Sequence, residues 1–224
     1  MVRGGVALFL ADLTCYAAHM LHWTPRLSRN LKRPEGFIAP CQPTLAKAAP
    51  SGAGWIHEIK QDGYRLIARK DADRVRLWTR WGNSWTRRAV EVAEAVRRLP
   101  VANVVLDGEV LCPHEDGHSD FHALASTTRC RDAKLIAFDL LMLEGQDLRL
   151  DPLAVRRERL EALLNSSEHA LEFSDSVEGA GEAVFRHACA MGLEGIVSKH
   201  KDSSYRSGRS DKWLKIKNPA FVRR

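Results

Sequence analysis

Trp55-Ile56-His57-Glu58-Ile59-Lys60-Gln61-Asp62-Gly63-Tyr64-Arg65-Leu66-Ile67-Ala68-Arg69 is the stretch on which the fold turns. Asp-Gly favours a tight turn, so the segment reads as two short strands around Gln61-Asp62-Gly63. Within it, Lys60-x-Asp62-Gly63-x-Arg65 sets an amine and a guanidinium beside a turn whose glycine permits close backbone approach to a ligand. An amine that attacks phosphorus must be neutral, and burial and nearby cations both favour that form. Arg65, Lys215 and Lys217 are the candidate cations. Taken alone, the motif also fits a surface strand of alternating charge.

Outward from this stretch the pattern stays regular. Val75-Arg76-Leu77-Trp78-Thr79 is strand-like, and Gly82-Asn83 supplies the next turn. Arg88 to Leu99 carries Val92, Ala95, Val96 and Leu99 at helical spacing and stops at Pro100. Val104-Val105-Leu106 enters Asp107-Gly108-Glu109 and Val110-Leu111 leaves it, which predicts a strand broken by a sharp turn. Leu135 to Leu143 is a nearly continuous apolar run around Asp139, the pattern of a buried strand. Asp151 to Leu164 reads as a helix with Pro152 suited to its first turn, and Glu178 to Met191 as a second, closed by Gly192. Gly195-Ile196-Val197 and Trp213-Leu214-Lys215-Ile216-Lys217 are short strands, and Pro34 to Pro50 is an extended loop. Strands grouped between a few helices predict an α+β fold, its mainly antiparallel sheets flanked by helices.

Bulk properties narrow the class without choosing a function. A 224-residue chain that is 45% hydrophobic can bury a sizeable core. The net charge of +6 suits an anionic partner and equally suits a slightly basic enzyme. Five scattered cysteines with no CxxC pair argue against a disulfide framework or a zinc site and fit a reducing cytosol. His114-Glu115-Asp116-Gly117-His118 contains a turn dipeptide and reads as a solvated loop rather than a helical zinc motif. Val6-Ala7-Leu8-Phe9-Leu10 is apolar, but Asp12 and His19 follow, a run too short and broken to span a bilayer. Residues 1–36 are expected to be an extension outside the fold, and residues 37–224 the folded domain.

Three further segments bear chemistry. Leu106-Asp107-Gly108-Glu109-Val110 and Glu194-Gly195-Ile196-Val197-Ser198-Lys199 each put a carboxylate at a strand, and two such acids suit Mg²⁺. Either acid alone also fits a turn carboxylate capping backbone amides. In Asp211-Lys212-Trp213-Leu214-Lys215-Ile216-Lys217 the last two lysines lie two apart and share a strand face, a grip for a phosphoryl group or simply a solvated face.

In this order, Lys60, Asp-Gly-Glu, Phe138, Glu-Gly-Ile-Val and Lys-x-Lys resemble the motif series of covalent nucleotidyltransferases, most closely the catalytic domain of ATP-dependent DNA ligases. The likeness runs from about Pro40 to Lys217 and includes Arg80-Trp81-Gly82-Asn83-Ser84-Trp85-Thr86, similar to a stretch of bacterial ligases. It implies an ATP-grasp-like adenylation domain that uses ATP and Mg²⁺. On this resemblance Lys60 would carry AMP, and Glu58 and Ile59 would meet the adenine. Arg65 and Arg80 would contact ribose or phosphate, and Phe138 would stack on the purine. Glu109 and Glu194 would be linked to the metal, with Glu109 also touching ribose. Lys215 and Lys217 would hold the α-phosphate, and Lys199 a phosphate or DNA strand. Glu58 would accept a hydrogen bond from the adenine amino group, whereas guanine would oppose it with a carbonyl, two acceptors face to face. Phe138 read without the resemblance is plain core.

The resemblance also implies nicked duplex DNA as the partner of a monomeric bacterial cytoplasmic enzyme in repair or recombination. Such ligases continue past Lys-x-Lys into an OB-fold domain, which is expected to be absent here, so a separate OB-fold or end-binding repair protein is an expected partner. The rival readings are an RNA ligase or other AMP transferase, and a non-catalytic binding remnant.

Overall fold

The computed structural model describes residues 33–113, 119–125, 132–165, 167 and 170–222. The chain divides into two units, Met1–Arg33 and Pro34–Arg224. The first thirty-two residues and the His114–His118 loop lie outside the described residues. Residues 34–36, counted above with the extension, belong to the second unit and bond within it: Arg69 Nη1 donates to the Gly36 carbonyl at 3.3 Å and Arg76 Nη1 to that of Glu35 at 3.4 Å.

Eleven strands form two sheets among the described residues. The first contains β1 (Cys41–Leu45), β2 (Ser51–Ile59), β9 (Val177–Ala180), β10 (Gly195–His200) and β11 (Gly208–Lys217), in the order β1-β11-β10-β2-β9. The second contains β3 (Tyr64–Asp71), β4 (Arg74–Thr79), β5 (Asn103–Leu111), β6 (Lys134–Leu143) and β7 (Gln146–Asp147), in the order β4-β3-β5-β6-β7, with β8 (Leu171–Phe173) also on β6. All pairings are antiparallel except β1 with β11 and β6 with β8. The expected α+β class with mainly antiparallel sheets is the one observed. Four helices are described: α1 (Val90–Arg98), α2 (Phe121–Ala125), α3 (Leu153–Leu164) and α4 (Gly181–Ala190).

Alternation along the strands explains the layering. In β3, Leu66 and Ala68 face one core and Ile67 the other; in β5, Val104 and Leu106 divide from Val105 in the same way. The core between the sheets holds Cys41, Ile56 and Trp213 from the first and Ile67, Trp78, Val105 and Leu141 from the second. The outer face of the second sheet packs on α1 and the later turns of α3. The outer face of the first packs on α4 through Ala188, Ile196 and Ile216. Each fully buried Leu or Ile in these layers contributes on the order of 2 kcal/mol.

Several expectations are corrected in detail. Strands β2 and β3 flank Gln61-Asp62-Gly63 as expected, yet they belong to different sheets, so the turn is a crossover and not a hairpin. A Cβ on Gly63 would lie 2.1 Å from the Val110 carbonyl oxygen, so this glycine serves a close approach to β5 rather than to a ligand. Asp107-Gly108-Glu109 is no turn. It runs inside the continuous strand β5, whose pairing with β6 slips at Val105/Leu106 and at Asp107/Gly108. Those slips leave Leu141 and Phe138 without a cross-strand partner on β5, as bulged residues. Part of the Pro34–Pro50 loop is β1, and Glu178 to Ala180, expected to begin a helix, belong to β9. Cys112 is disulfide-bonded, which the reading of the cysteines as lacking a disulfide framework did not anticipate, whereas Cys41 and Cys189 are free thiols.

Helix α1 ends with a side-chain cap that the sequence pattern does not display. Lys70 from β3 donates from Nζ to the carbonyls of Arg97 at 2.6 Å and Leu99 at 2.7 Å, satisfying acceptors that a helix terminus leaves open.

Candidate active site

Strand β2 ends at Ile59, and the next residue begins the crossover between the sheets. The Lys60 backbone amide still bonds the Gly195 carbonyl at 2.9 Å, which anchors the residue to the mouth of β10. Its side chain, 21% exposed, donates from Nζ to Glu194 Oε2 at 2.6 Å. Lys217 Nζ lies 3.1 Å from the other oxygen of the same acid. Gly195 pairs with Lys217 and Val197 with Lys215, so antiparallel register carries both late lysines to this end of the sheet. Gly195 has φ +139, and a Cβ there would lie 2.0 Å from the Ile216 carbonyl oxygen; β10 and β11 can close behind Glu194 only with glycine at that position.

Positive charge gathers here. Burial first, then Lys217, Lys60 and Arg80, push the Lys215 ammonium below its usual lysine range. Burial holds the Glu194 carboxyl up, but the hydrogen bonds and charges of Lys60 and Lys217 outweigh it and leave the group below the ordinary glutamate value. Arg80 stands in the turn after β4, its guanidinium 4.5 Å from the centre of the Trp81 ring.

The second sheet supplies the opposing wall. Arg65 on β3 pairs across with Glu109 on β5. Its guanidinium forks onto Asp107, with Nε to Oδ1 at 2.8 Å and Nη2 to Oδ2 at 2.5 Å, and Tyr205 donates to the same carboxylate at 2.6 Å. Burial opposes the Arg65 charge, but Asp107 more than compensates and keeps the guanidinium firmly protonated. Among the described residues Glu109 has no such partner of its own. Burial pushes its carboxyl up to about 7 against the pull of Lys60 and Arg65, and the nearby charges of Asp107 and Glu194 add to the rise.

Phe138, bulged out of β6, sits edge-on to Trp213 at 6.1 Å between centroids. Arg65 and Lys199 approach its ring at 5.1 and 4.2 Å from the centroid. Lys199, assigned above to a phosphate or DNA strand, is instead 1% exposed and bound to both oxygens of Glu58, at 2.8 and 2.7 Å. An ammonium so enclosed has no reach to an exposed phosphate. Glu58 is also bound at Oε1 by Arg157 at 2.7 Å, and Ile59 lies beside it, paired with Ile196.

The structure therefore gathers Lys60, Glu194, Lys215 and Lys217 on one wall and Arg65, Glu109 and Phe138 on the other, with Glu58 and Lys199 buried alongside. Sequence reasoning missed Arg157, Tyr205, Trp213 and the Asp107 fork. A signal for Arg157 was present. Leu153, Leu160 and Leu164 mark the apolar stripe of α3, and Arg156 and Arg157 occupy the positions between them on that stripe, where a charge needs a partner.

This arrangement can hold a polyphosphate against four cations. Glu109 and Glu194 are oxygen donors of the kind Mg²⁺ takes when substrate phosphates complete its shell, and the described residues contain no cluster of three or more protein ligands. The donor set fits a metal shared with a nucleotide rather than an all-protein cage.

The family model described as ATP dependent DNA ligase domain matches residues 39–217. The multifunctional non-homologous end joining protein LigD of Pseudomonas aeruginosa is 40% identical over 185 residues, covering 81% of this chain and 22% of that protein. A probable DNA ligase of Sorangium cellulosum is 33% identical over 200 residues, covering 81% of this chain and 38% of that protein. This chain thus spans well under half the length of either relative. Among solved structures, a mycobacterial DNA ligase D complexed with ATP and MES aligns with a TM-score of 0.70 at 32% identity, over 80% of this chain and 60% of that one. The ATP-dependent DNA ligase of bacteriophage T7 in complex with ATP aligns with a TM-score of 0.56 at 18% identity, a likeness of fold alone, over 80% of this chain and 68% of that one.

Proposed function

Since this chain belongs to the ATP-dependent DNA ligase domain family, we propose that it takes AMP from ATP onto Lys60 and passes it to the 5′-phosphate of a nick in duplex DNA. The observation that carries this reading is the convergence of Lys60 and Lys217 on Glu194, with Lys215 close enough for its charge to feel both. Lys60 Nζ attacks the α-phosphorus, a nitrogen–phosphorus bond forms and pyrophosphate leaves. The amine must shed a proton, and Glu194 Oε2 at 2.6 Å is placed to receive it. Lys215 and Lys217 neutralise charge that spreads over the α-phosphate oxygens, a task of positioning and electrostatics. Mg²⁺ held by Glu109 and Glu194 would withdraw charge from the same phosphate. Arg65, fixed by its fork on Asp107, and the exposed Arg80 meet ribose and phosphate, while Phe138 stacks on the purine and Ile59 lines its edge. Glu58 accepts from the adenine amino group. The 3′-hydroxyl of the nick then displaces AMP and seals the strand.

The name of the Pseudomonas aeruginosa relative favours end-joining repair of DNA in a bacterium as the setting. No helix among the described residues is long and apolar enough to cross a membrane. Intact mass after incubation with Mg-ATP tests the chemistry: the wild type gains AMP and Lys60→Ala does not. Equal masses would overturn the reading. Joining assays on nicked DNA, nicked RNA and hybrids then define the polynucleotide.

A further inference from the structure

Purine recognition in this site draws on two different sheets. The stacking ring, Phe138, bulges from β6 in the second sheet, and the edge reader, Glu58, lies on β2 in the first. Selectivity demands that the two keep a fixed relation, because an edge hydrogen bond tolerates only small errors in distance and angle. Neither residue can supply that relation alone.

Arg157 on α3 supplies it. One nitrogen, Nη1, donates to Glu58 Oε1 at 2.7 Å and approaches the Phe138 carbonyl oxygen at 3.4 Å. The other, Nη2, is anchored behind the site on the Ser174 carbonyl at 2.7 Å and Ser176 Oγ at 3.2 Å, and the guanidinium lies 4.5 Å from the centre of the Phe173 ring. A planar fork with fixed nitrogens is suited to bridging in this way, whereas an ammonium acts as a point charge. Helix α3 delivers this buried arginine, 6% exposed, to the place where the two sheets meet behind Glu58 and Phe138.

The bonds also leave one oxygen of Glu58 with capacity. Oε1 is taken by Arg157 and Lys199, while Oε2 carries Lys199 at 2.7 Å and a long Ser174 Oγ contact at 3.4 Å. A carboxylate has about four acceptor positions, and the Ser174 contact is longer than an O–H···O bond ordinarily runs, so that position on Oε2 is held weakly enough for an amino group of the ligand to take it. We infer that Arg157 is a positioning residue for base selection: by bonding Glu58 and Phe138 together it aims Glu58 Oε2 at the exocyclic amine of adenine and so discriminates an adenine from a guanine nucleotide. This rests on the adenylation reading for its ligand, but not on transfer of AMP.

The test measures equilibrium binding of ATP and of GTP by calorimetric titration to the full chain, alongside melting temperature, for the wild type, Arg157→Met, Arg157→Lys and Ser176→Ala. Loss of one charge-assisted hydrogen bond shifts an equilibrium by about tenfold, so the ATP:GTP preference of Arg157→Met falls by about that factor, through weaker ATP binding. Arg157→Lys recovers part of the preference. Ser176→Ala keeps the charge and loosens its anchor, giving a smaller fall in the same direction, and decides the matter should Arg157→Met not fold. A wild type without preference for ATP overturns the inference, and so does an unchanged ratio in the folded variants or an equal loss for both nucleotides. A wild type that prefers ATP but gains no AMP on Lys60 overturns the ligase reading and leaves the role of Arg157 standing.

Discussion

Lys60 and Glu194 form a salt bridge of 2.6 Å across the join between β2 and β10, and this bridge ties the Lys60 side chain to an acid only 5% exposed. Because Lys217 holds the other oxygen at 3.1 Å, the carboxylate spaces the two ammonium groups about a single point. The same acid thus sets where both ammonium groups stand. In the proposed reaction that makes it a single hub for attack by Lys60 and for charge neutralisation by Lys217.

Replacing that hub should therefore cost rate more than fold. Glu194→Gln keeps the shape and removes the charge, and the expected loss in lysine adenylation is about a hundredfold. Single-turnover labelling with radiolabelled ATP reads it directly, with a melting curve as control. A labelling rate equal to that of the wild type would show that the acid does not take part.

Gly63→Ala puts a methyl group 2.1 Å from the Val110 carbonyl oxygen, against backbone that cannot swing aside. Overpacking of this kind costs about 1–3 kcal/mol, and the crossover must shift to relieve it. The expected outcome is a lower melting temperature together with slower adenylation, since Lys60 stands three residues away. A variant as stable as the wild type would refute the close approach.

Asp139 and Arg156 are both 0% exposed and joined by two bonds, Nε to Oδ1 at 2.7 Å and Nη2 to Oδ2 at 2.8 Å. Removing one partner strands a buried charge, so Arg156→Met should cost about 3–5 kcal/mol. The double variant Asp139→Leu/Arg156→Met should recover much of that loss in chemical denaturation. Equal midpoints for single and double variants would mean the pair is not coupled.

His57 is buried on β2 with Nδ1 2.8 Å from Ser198 Oγ, and burial pulls its pKa below the ordinary 6.5 while a backbone contact with Gly179 opposes more weakly. The folded chain thus holds the ring neutral at a pH where the unfolded chain already binds a proton. Stability from this group is complete above about pH 6.5 and is lost as pH falls from there toward the folded value. Unfolding free energies measured between pH 7.5 and pH 5 should decline on the acid side, and less so in His57→Asn. Identical slopes would assign the decline to other groups.

Local motifs were legible because their chemistry is local. Lys60, Gly63 and Arg65 lie within six residues, and Lys215 and Lys217 share a strand face by simple alternation. What stayed hidden depends on which strands become neighbours. Gln61-Asp62-Gly63 has the letters of a hairpin, but β2 finds its partners in β9 and β10, and β3 finds its own in β4 and β5. Asp107-Gly108-Glu109 has the letters of a turn, yet pairing with Asp139 and Ala137 on β6 holds it extended. Lys199 looked like a surface cation until Glu58, 141 residues earlier, closed over it. Tyr205 gives no signal in one dimension, since the Asp107 carboxylate and the Cys41 amide that its hydroxyl bonds lie far off in sequence. Arg156 and Arg157 did give one, as charges on an apolar helix stripe.

The crossover at residues 60–63 has a mechanical side. Lys60, the nucleophile of the proposed reaction, rides on the tether between two layers, with Glu194 fixed to one and Arg65 and Glu109 to the other. Any sliding of the layers stretches or shortens the gap that the amine must span. Turnover in such a device becomes a strain gauge for the sandwich, and hydrostatic pressure, which works on packing voids rather than on single bonds, would move the rate before it moved the fold.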